Sequence, residues 1–230
     1  MDFPAVPSPS GLPLVITVRG NPAAETEKLV DVEAGYRLEI GTSASIDVTG
    51  FVGRYDHLRT QEVAPPVVQF VPSPQILVVS RFGNQLEATT RGLEIAGHWI
   101  PARAWRIDGS YTAFDVTPQL AATSQDPGAA REDGSAPRRQ WQVRSAFSPG
   151  ARATLNVAFF HVGVLEQFHV DAYTRADVSA EWRFTNRLSA MAIGQNLFDA
   201  AHAESAGAGS LLLATQVPRS AGVLLRVTFP

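Results

Sequence analysis

The sequence predicts an all-β chain, part of an antiparallel up-and-down transmembrane β-barrel with about nine long strands. Three observations carry this. The strands alternate apolar and polar residues over ~10–15 positions, against a mode of about 5–6 residues in soluble sheets. A transmembrane strand needs ~9–11 residues to cross hydrocarbon at a tilt. The connections between strands alternate short and long, as the turns and outer loops of a bacterial barrel do. The third observation is the stretch from Pro218 to Pro230. Ala221, Val223, Leu225, Val227 and Phe229 fall on one side of it; Ser220, Gly222, Arg226 and Thr228 fall on the other, with Leu224 as the apolar intruder. A strand edge left bare exposes unpaired N–H and C=O groups, and barrel closure is the usual remedy.

Residues 1–28 read as loop or as the remnant of a preceding strand: Pro4, Pro7, Pro9 and Pro13 leave room only for a short strand at Leu14 to Arg19. From residue 29 the alternation is regular. Val30, Val32, Ala34, Tyr36, Leu38 and Ile40 oppose Asp31, Glu33, Gly35, Arg37 and Glu39. A short break at 41–44 leads to a strand over Ser45 to Leu58, with a bulge expected near Gly50. Pro65, Pro66, Pro72 and Pro74 mark a long connection over 59–83, with some strand at Gln75 to Arg81. Leu86 to Ile100 follows, with Leu93, Ile95 and Trp99 opposite Glu94 and His98. A tight turn at 101–102 opens Arg103 to Asp115, where Trp105, Ile107 and Tyr111 share a face.

The segment 116–138 carries Pro118, Pro127, Pro137 and the charges Asp126, Arg131, Glu132 and Asp133, a long polar loop. Gln140 to Ser148, a turn at Pro149-Gly150 and Ala151 to Val162 form the next hairpin, followed by a medium loop over 163–172. In Tyr173 to Phe184, Ala176, Val178, Ala180 and Trp182 oppose Arg175, Asp177, Glu181 and Arg183. Thr185-Asn186 turns into Arg187 to Phe198, and a small-residue loop over 199–217 precedes the last strand. Parity places the short turns and the C-terminus on the periplasmic side. It also implies a strand before residue 29, so the N-terminus reads as truncated.

Composition excludes several classes. A net charge of -3 over 230 residues offers no basic field for nucleic acid. With no cysteine, disulfides, thiolate metal sites and cysteine nucleophiles are ruled out. No run of about 18 apolar residues exists for a helical span, a scan blind to alternating strands. Leu14 to Val18 is too short for a signal-peptide core, and no basic segment precedes it.

Six segments, in order, resemble the TonB-dependent outer-membrane receptors. They are Asn21-Pro22 with Glu25 to Glu27 and Val32 to Arg37; Phe51 to Tyr55; Asn84 with Thr90 to Glu94; Gly109 to Thr112; Gln195-Asn196-Leu197-Phe198-Asp199; and Pro218-Arg219-Ser220 with the run to Phe229. The resemblance implies a 22-stranded barrel of which residues 29–230 are the C-terminal portion, with the plug domain and TonB-binding box lying outside this chain. It implies an outer-membrane location of Gram-negative type and uptake of a scarce ligand such as a ferric siderophore, energised through the TonB complex. Further implied partners are outer-membrane lipid and the barrel-assembly machinery, which reads a terminal aromatic residue. Two departures stand out: Pro230 follows Phe229, and Asp199-Ala200-Ala201-His202 lacks the family's tyrosine.

Candidate chemistry is sparse. His161, Glu166 and His169 cluster around a predicted outer loop, but their spacing fits no metal motif, and a solvated loop explains them. Glu33, Glu39, Glu94, Asp108, Asp177 and Glu181 could suggest acid–base work. Alternating positions on lumen faces explain them more simply, with Arg37, Arg106, Arg175 and Arg183 as counter-charges. Trp99, Trp105, Trp141, Trp182, Tyr36, Tyr55 and Tyr111 suit an interfacial girdle. No phosphate loop or dinucleotide fingerprint is present. No catalytic, cofactor or metal residue is therefore assigned, the ligand-binding residues stay open, and the chain does not read as an enzyme. The alternatives are a soluble all-β ligand-binding module and a non-functional remnant of a receptor.

An epitope inserted near Gly128 of a complete receptor carrying this segment should be reached by antibody on intact cells. Detection only after permeabilisation would reverse the assigned topology.

Overall fold

The computed structural model describes residues 6–71, 73–126, 128–129, 134–205 and 215–229. Met1 to Ala5, Pro72, Pro127, residues 130–133, residues 206–214 of the 199–217 loop and Pro230 lie outside the described residues. The strands are β1 (Val6–Pro7), β2 (Pro13–Arg19), β3 (Lys28–Ile40), β4 (Ala44–Val63), β5 (Val67–Gln69), β6 (Gln75–Ala102) and β7 (Trp105–Leu120). They continue with β8 (Arg139–Phe147), β9 (Ala153–Val162), β10 (Tyr173–Arg183), β11 (Leu188–Gln195), β12 (Ala201–Ser205), β13 (Thr215–Pro218) and β14 (Ser220–Val227). The helical content among the described residues is confined to short 3-10 turns such as Glu166–Phe168.

The chain forms two compact units. One, the wall, comprises Glu33–Phe51, Arg91–Asp115 and Gly134–Pro230. Its strands pair in the order β3-β4-β6-β7-β8-β9-β10-β11-β14. From β7 onward every pairing is antiparallel, with registers such as Asp108↔Arg144, Arg144↔Ala158, Asp177↔Ala158 and Ser179↔Ile193. At the other side, Arg37 of β3 reaches Asp47 of β4, and the amide of Ile100 donates to the carbonyl of Ser43. A Cβ on Gly92 would collide with the Phe51 ring, so glycine is what lets β4 and β6 pack here.

The other unit comprises Met1–Val32, Val52–Thr90 and Val116–Asp133. There β2 runs parallel to the start of β6, from Leu14↔Ile76 to Arg19↔Arg81. β5 pairs antiparallel with the same stretch, Val67↔Leu77 to Gln69↔Gln75. Ile76 and Leu77 are thus paired on both sides.

Several boundaries differ from the sequence expectation. β4 ends at Val63 and β6 begins at Gln75, so the predicted connection over 59–83 shrinks to 64–74 around β5. The run Ile76-Leu77-Val78-Val79 is continuously apolar, and without period-2 alternation its strand carries no face signal. Pro101 lies inside β6, and the turn falls at residues 103–104. Within β4, His57 adopts a left-handed conformation, with φ of 60°. Residues β12 and β13 form a hairpin within the predicted 199–217 loop.

The wall is inside-out relative to a soluble protein. Among its described residues the buried apolar side chains are only Val170 and Ala176, while Trp99, Trp105, Val143, Phe147, Leu155 and Trp182 are exposed. The registers put Trp105, Phe147 and Leu155 in one row, with Val178, Ala180, Ala192 and Val223 continuing that face. The opposite face carries the ion pairs Arg37–Asp47, Arg106–Asp108 and Arg175–Asp177. An apolar face this extended exceeds the few hundred Å² that soluble monomers expose, and it suits hydrocarbon. The expected fold class is therefore met, as an open portion of a transmembrane barrel: among the described residues β3 pairs only with β4, and β14 only with β11.

Leu224 faces Met191 across β11 and Leu225 faces Ala190, on opposite sides of the wall. In a complete barrel carrying this strand, Leu225→Arg should reduce assembled yield or stability clearly more than Leu224→Arg. An arginine in the lipid row costs ~2–4 kcal/mol near the midplane, whereas on the lumen side it stays hydrated. Equal penalties, read from heat-modifiable gel mobility, would mean that the facing is wrong.

Candidate functional site

The polar face of the wall is the first place where chemistry concentrates. Because side chains alternate strictly, odd positions of β3 and β4 and even positions of β6, β7 and β8 meet on this face. They line a cleft of about 560 Å³ formed by Arg37, Glu39, Ser45, Asp47, His98, Asp108, Gln142 and Arg144, among others. Ser45 Oγ and His98 Nδ1 are 2.7 Å apart. Arg106 grips Asp108 through both Nε and Nη2, at 2.6–3.0 Å. Arg144 and Arg175 lie over the Phe160 ring at 5.5 and 5.9 Å. Of the acids noted in the sequence, Glu39 and Asp108 meet in this cleft, while Asp177 pairs with Arg175 on β10. Arg37 turns not to Glu33 or Glu39 but to Asp47 on the neighbouring strand. Alternation placed Asp47 there; the cross-strand register that selects it is set by the turn, which sequence reasoning did not resolve.

A second polar assembly lies at the loop end of the wall. Asn196 is fully buried, with φ of 52°, a left-handed conformation that asparagine tolerates. Its amide N–H donates to Asp177 Oδ1 at 3.0 Å, and its Nδ2 donates to the Val217 carbonyl at 2.9 Å. That fixes Oδ1 toward His202 Nδ1, 3.2 Å away. His202 is buried, stacks on Tyr173 with centroids 4.1 Å apart, and presents Nε2 to Glu204. The Arg219 amide meets the Ala200 carbonyl, and its Nε donates to the Asp199 carbonyl. The network is a clasp that holds the β12–β13 hairpin at the end of β10. His202 occupies a position flagged only as a departure; its burial was invisible in the sequence.

The metal candidates do not converge. His161 stacks on Trp141 on the apolar face and meets Thr174 Oγ1 at 2.9 Å, Glu166 opens the 3-10 turn, and His169 is its left-handed C-terminal residue. Among the described residues no group of three His, Asp or Glu side chains is placed to hold a metal ion.

In the other unit, carboxylates pin the loops. Glu62 accepts from Ser124 Oγ at 2.8 Å and from the Gln125 amide, and Asp126 accepts from the amides of Gln61, Gly128 and Ala129. Asn84 bridges Glu25 and the His57 carbonyl. His57 Nδ1 lies 3.3 Å from Glu25 Oε2 but is not aligned for a hydrogen bond. Burial pushes the Glu62 carboxyl up, but hydrogen bonds from Thr60, Gln125 and Ser124 outweigh it and hold the group below its ordinary value.

A carboxylate held low contributes stability above its unfolded value, ~4.3, and loses it as pH falls through the lower folded value. In a complete receptor, protection of the Gln125 amide against hydrogen exchange, corrected for intrinsic rate, should therefore drop in acid below about pH 4. Glu62→Gln should weaken that protection at neutral pH and remove its acid dependence. Protection that is flat with pH in the unsubstituted protein would sink the assignment.

Comparison with known proteins agrees with this geometry. The family described as "TonB dependent receptor-like, beta-barrel" matches residues 6–197. No functionally curated protein matches the sequence. Among solved structures, the siderophore receptor PirA from Acinetobacter baumannii superposes with a TM-score of 0.66 at 14% identity, covering 94% of this chain and 34% of PirA. The pyoverdine outer membrane receptor FpvA from Pseudomonas aeruginosa PAO1, bound to pyoverdine, gives 0.65 at 16% identity, covering 90% of this chain and 30% of FpvA. The ferric-catecholate import receptor Fiu from K12 E. coli gives 0.61 at 15% identity, covering 86% and 27%. At such identities these likenesses establish the fold, and the chain spans about a third of the length of those receptors. The family is one of outer-membrane transport receptors rather than enzymes. By its strand pattern, its two-faced wall and the match over residues 6–197, the chain belongs to the TonB-dependent receptor-like β-barrel family.

Proposed function

We propose that residues 29–230 are the C-terminal portion of the barrel of an outer-membrane receptor, with residues 1–28 leading in from a preceding strand. The receptor takes up a scarce ligand of the iron-chelate class, driven through TonB by segments outside this chain. The observation that carries the reading is the pair of free edges. β3, β4, β6 to β11 and β14 make nine wall strands, so β3 and β14 run in the same direction. Antiparallel closure therefore calls for an odd number of further strands between those edges. The share of PirA, FpvA and Fiu that this chain covers is consistent with that.

Within that receptor the chain supplies wall and loops. The polar cleft faces the lumen, and the hairpin that Asn196 holds lies at the loop end of the wall, where a ligand is captured. The iron-chelate class draws on the siderophore receptors named above. The wall by itself offers no energised step.

Cells carrying the complete receptor should accumulate at least one radio-iron-labelled siderophore from a chemically varied panel. A protonophore should abolish that accumulation, and so should excision of residues 121–138 with barrel assembly retained. Accumulation insensitive to the protonophore, or absent for every iron chelate, would overturn this function.

A further inference from the structure

The segment 201–218 that carries β12 and β13 has two titratable residues, His202 and Glu204. Both sit at the base of the hairpin, where the clasp joins it to the wall. His202 is 8% exposed, and each of its ring nitrogens faces an oxygen. A buried ring held on both sides in this way permits its protons to be counted.

Nδ1 faces Asn196 Oδ1 at 3.2 Å, and that oxygen can only accept. The Asn196 amide cannot be turned round, because Nδ2 would leave the Val217 carbonyl and set oxygen against oxygen there. Nε2 faces Glu204 Oε1 at 3.3 Å, which accepts when the carboxyl is ionised. A neutral imidazole carries one N–H, so either tautomer leaves one nitrogen lone pair against an oxygen lone pair. One further proton, between the ring and the carboxylate, satisfies both contacts. Tyr173 stacks on the ring with centroids 4.1 Å apart, a placement that suits a cation over a π face.

The other charges around the ring are engaged elsewhere. From β10, Arg175 Nη1 lies 4.0 Å from Glu204 Oε1, but the same guanidinium grips Asp177, whose Oδ1 accepts the Asn196 amide. β13 brings no titratable residue, and Arg219 turns its Nε to the Asp199 carbonyl. Of the residue types gathered here, histidine is the one whose charge ordinarily changes near neutral pH.

We propose that the clasp is a proton-dependent latch, which holds the hairpin to the wall while His202 and Glu204 share the extra proton and releases it as pH rises. A group that gains its partner in the protonated form stabilises the closed state in acid and gives up that stability as pH rises. The segment Asp199 to His202 is also where this chain departs from the family's tyrosine, a side chain that keeps its proton to about pH 10. The departure thereby brings pH dependence to a base that a tyrosine would leave indifferent. The inference rests on the geometry of the clasp, not on what the receptor transports.

The test uses the complete receptor in lipid nanodiscs. The Arg219 amide donates to the Ala200 carbonyl at 2.8 Å across the hairpin base. Its hydrogen exchange is followed from about pH 5 to about pH 8 and corrected for intrinsic rate. Protection should fall by about 10-fold or more as pH rises, as for loss of a charge-assisted hydrogen bond. The Ser148 amide, bound to the Ala104 carbonyl at the turn end, should stay level. Glu204→Gln supplies an amide that can donate to Nε2, so its protection should stay high at the alkaline end. His202→Tyr should flatten the profile. Nitrogen NMR of the wild-type His202 ring should show both nitrogens protonated at the acid end and one at the alkaline end, a reading that needs no variant. Protection that is flat or rises with pH in wild type would overturn the proposal. So would a dependence left unchanged in both variants, which would place the switch elsewhere. Heat-modifiable mobility reports the assembly of each protein separately.

Discussion

In hydrocarbon every backbone N–H and C=O has to find its partner within the protein, because no water is there to substitute. The wall strands from β4 to β11 meet that demand on both sides. β3 and β14 meet it on one side only, and every residue of both strands is exposed. Since the two edges run the same way, they cannot close on each other in antiparallel register. In antiparallel register each edge can pair only with a strand that runs opposite to it. Among the described residues of the wall only Val170 and Ala176 are buried apolar side chains, too few to act as a core for so long a sheet.

What was legible in the sequence follows from this constraint. A wall with lipid on one side and water on the other imposes period-2 alternation, and a register slip of one residue would reverse every face. Hence the faces of Val30 to Ile40, Tyr173 to Arg183 and Ala221 to Val227 could be read before any pairing was known. Where only one environment acts, the signal fades. Ile76 to Val79 are apolar at every position, so nothing marks one face from the other, and the parallel pairing of β2 has no local signature. The β12–β13 hairpin was hidden for another reason. Its hold on the wall comes from long-range contacts of Asn196, not from its own small residues.

That clasp gives a physical content to a motif recognised only as a string. Asn196 satisfies three partners at once: the Asp177 carboxylate, the Val217 carbonyl and the His202 ring. Aspartate could not donate to Val217, and a residue with a Cβ branch would resist the positive φ. Asp177 is held in turn by Arg175, so the charge that orients the hairpin is itself neutralised on the wall. A hairpin anchored this way has its base fixed on the wall.

The same economy of charge recurs along single strands. Arg54 and Asp56, Arg106 and Asp108, and Arg175 and Asp177 are each two residues apart on one strand, and each forms an ion pair. Residues i and i+2 share a face, so an arginine and an aspartate at that spacing neutralise each other without help from a neighbouring strand. The spacing is plain in the sequence, where Arg106 and Arg175 stand two residues before Asp108 and Asp177. Exposed pairs of this kind add little stability, ~0–1 kcal/mol each. Their consequence lies in the field: on the polar face, where Arg106–Asp108 and Arg175–Asp177 lie, charge paired within a strand adds little net field.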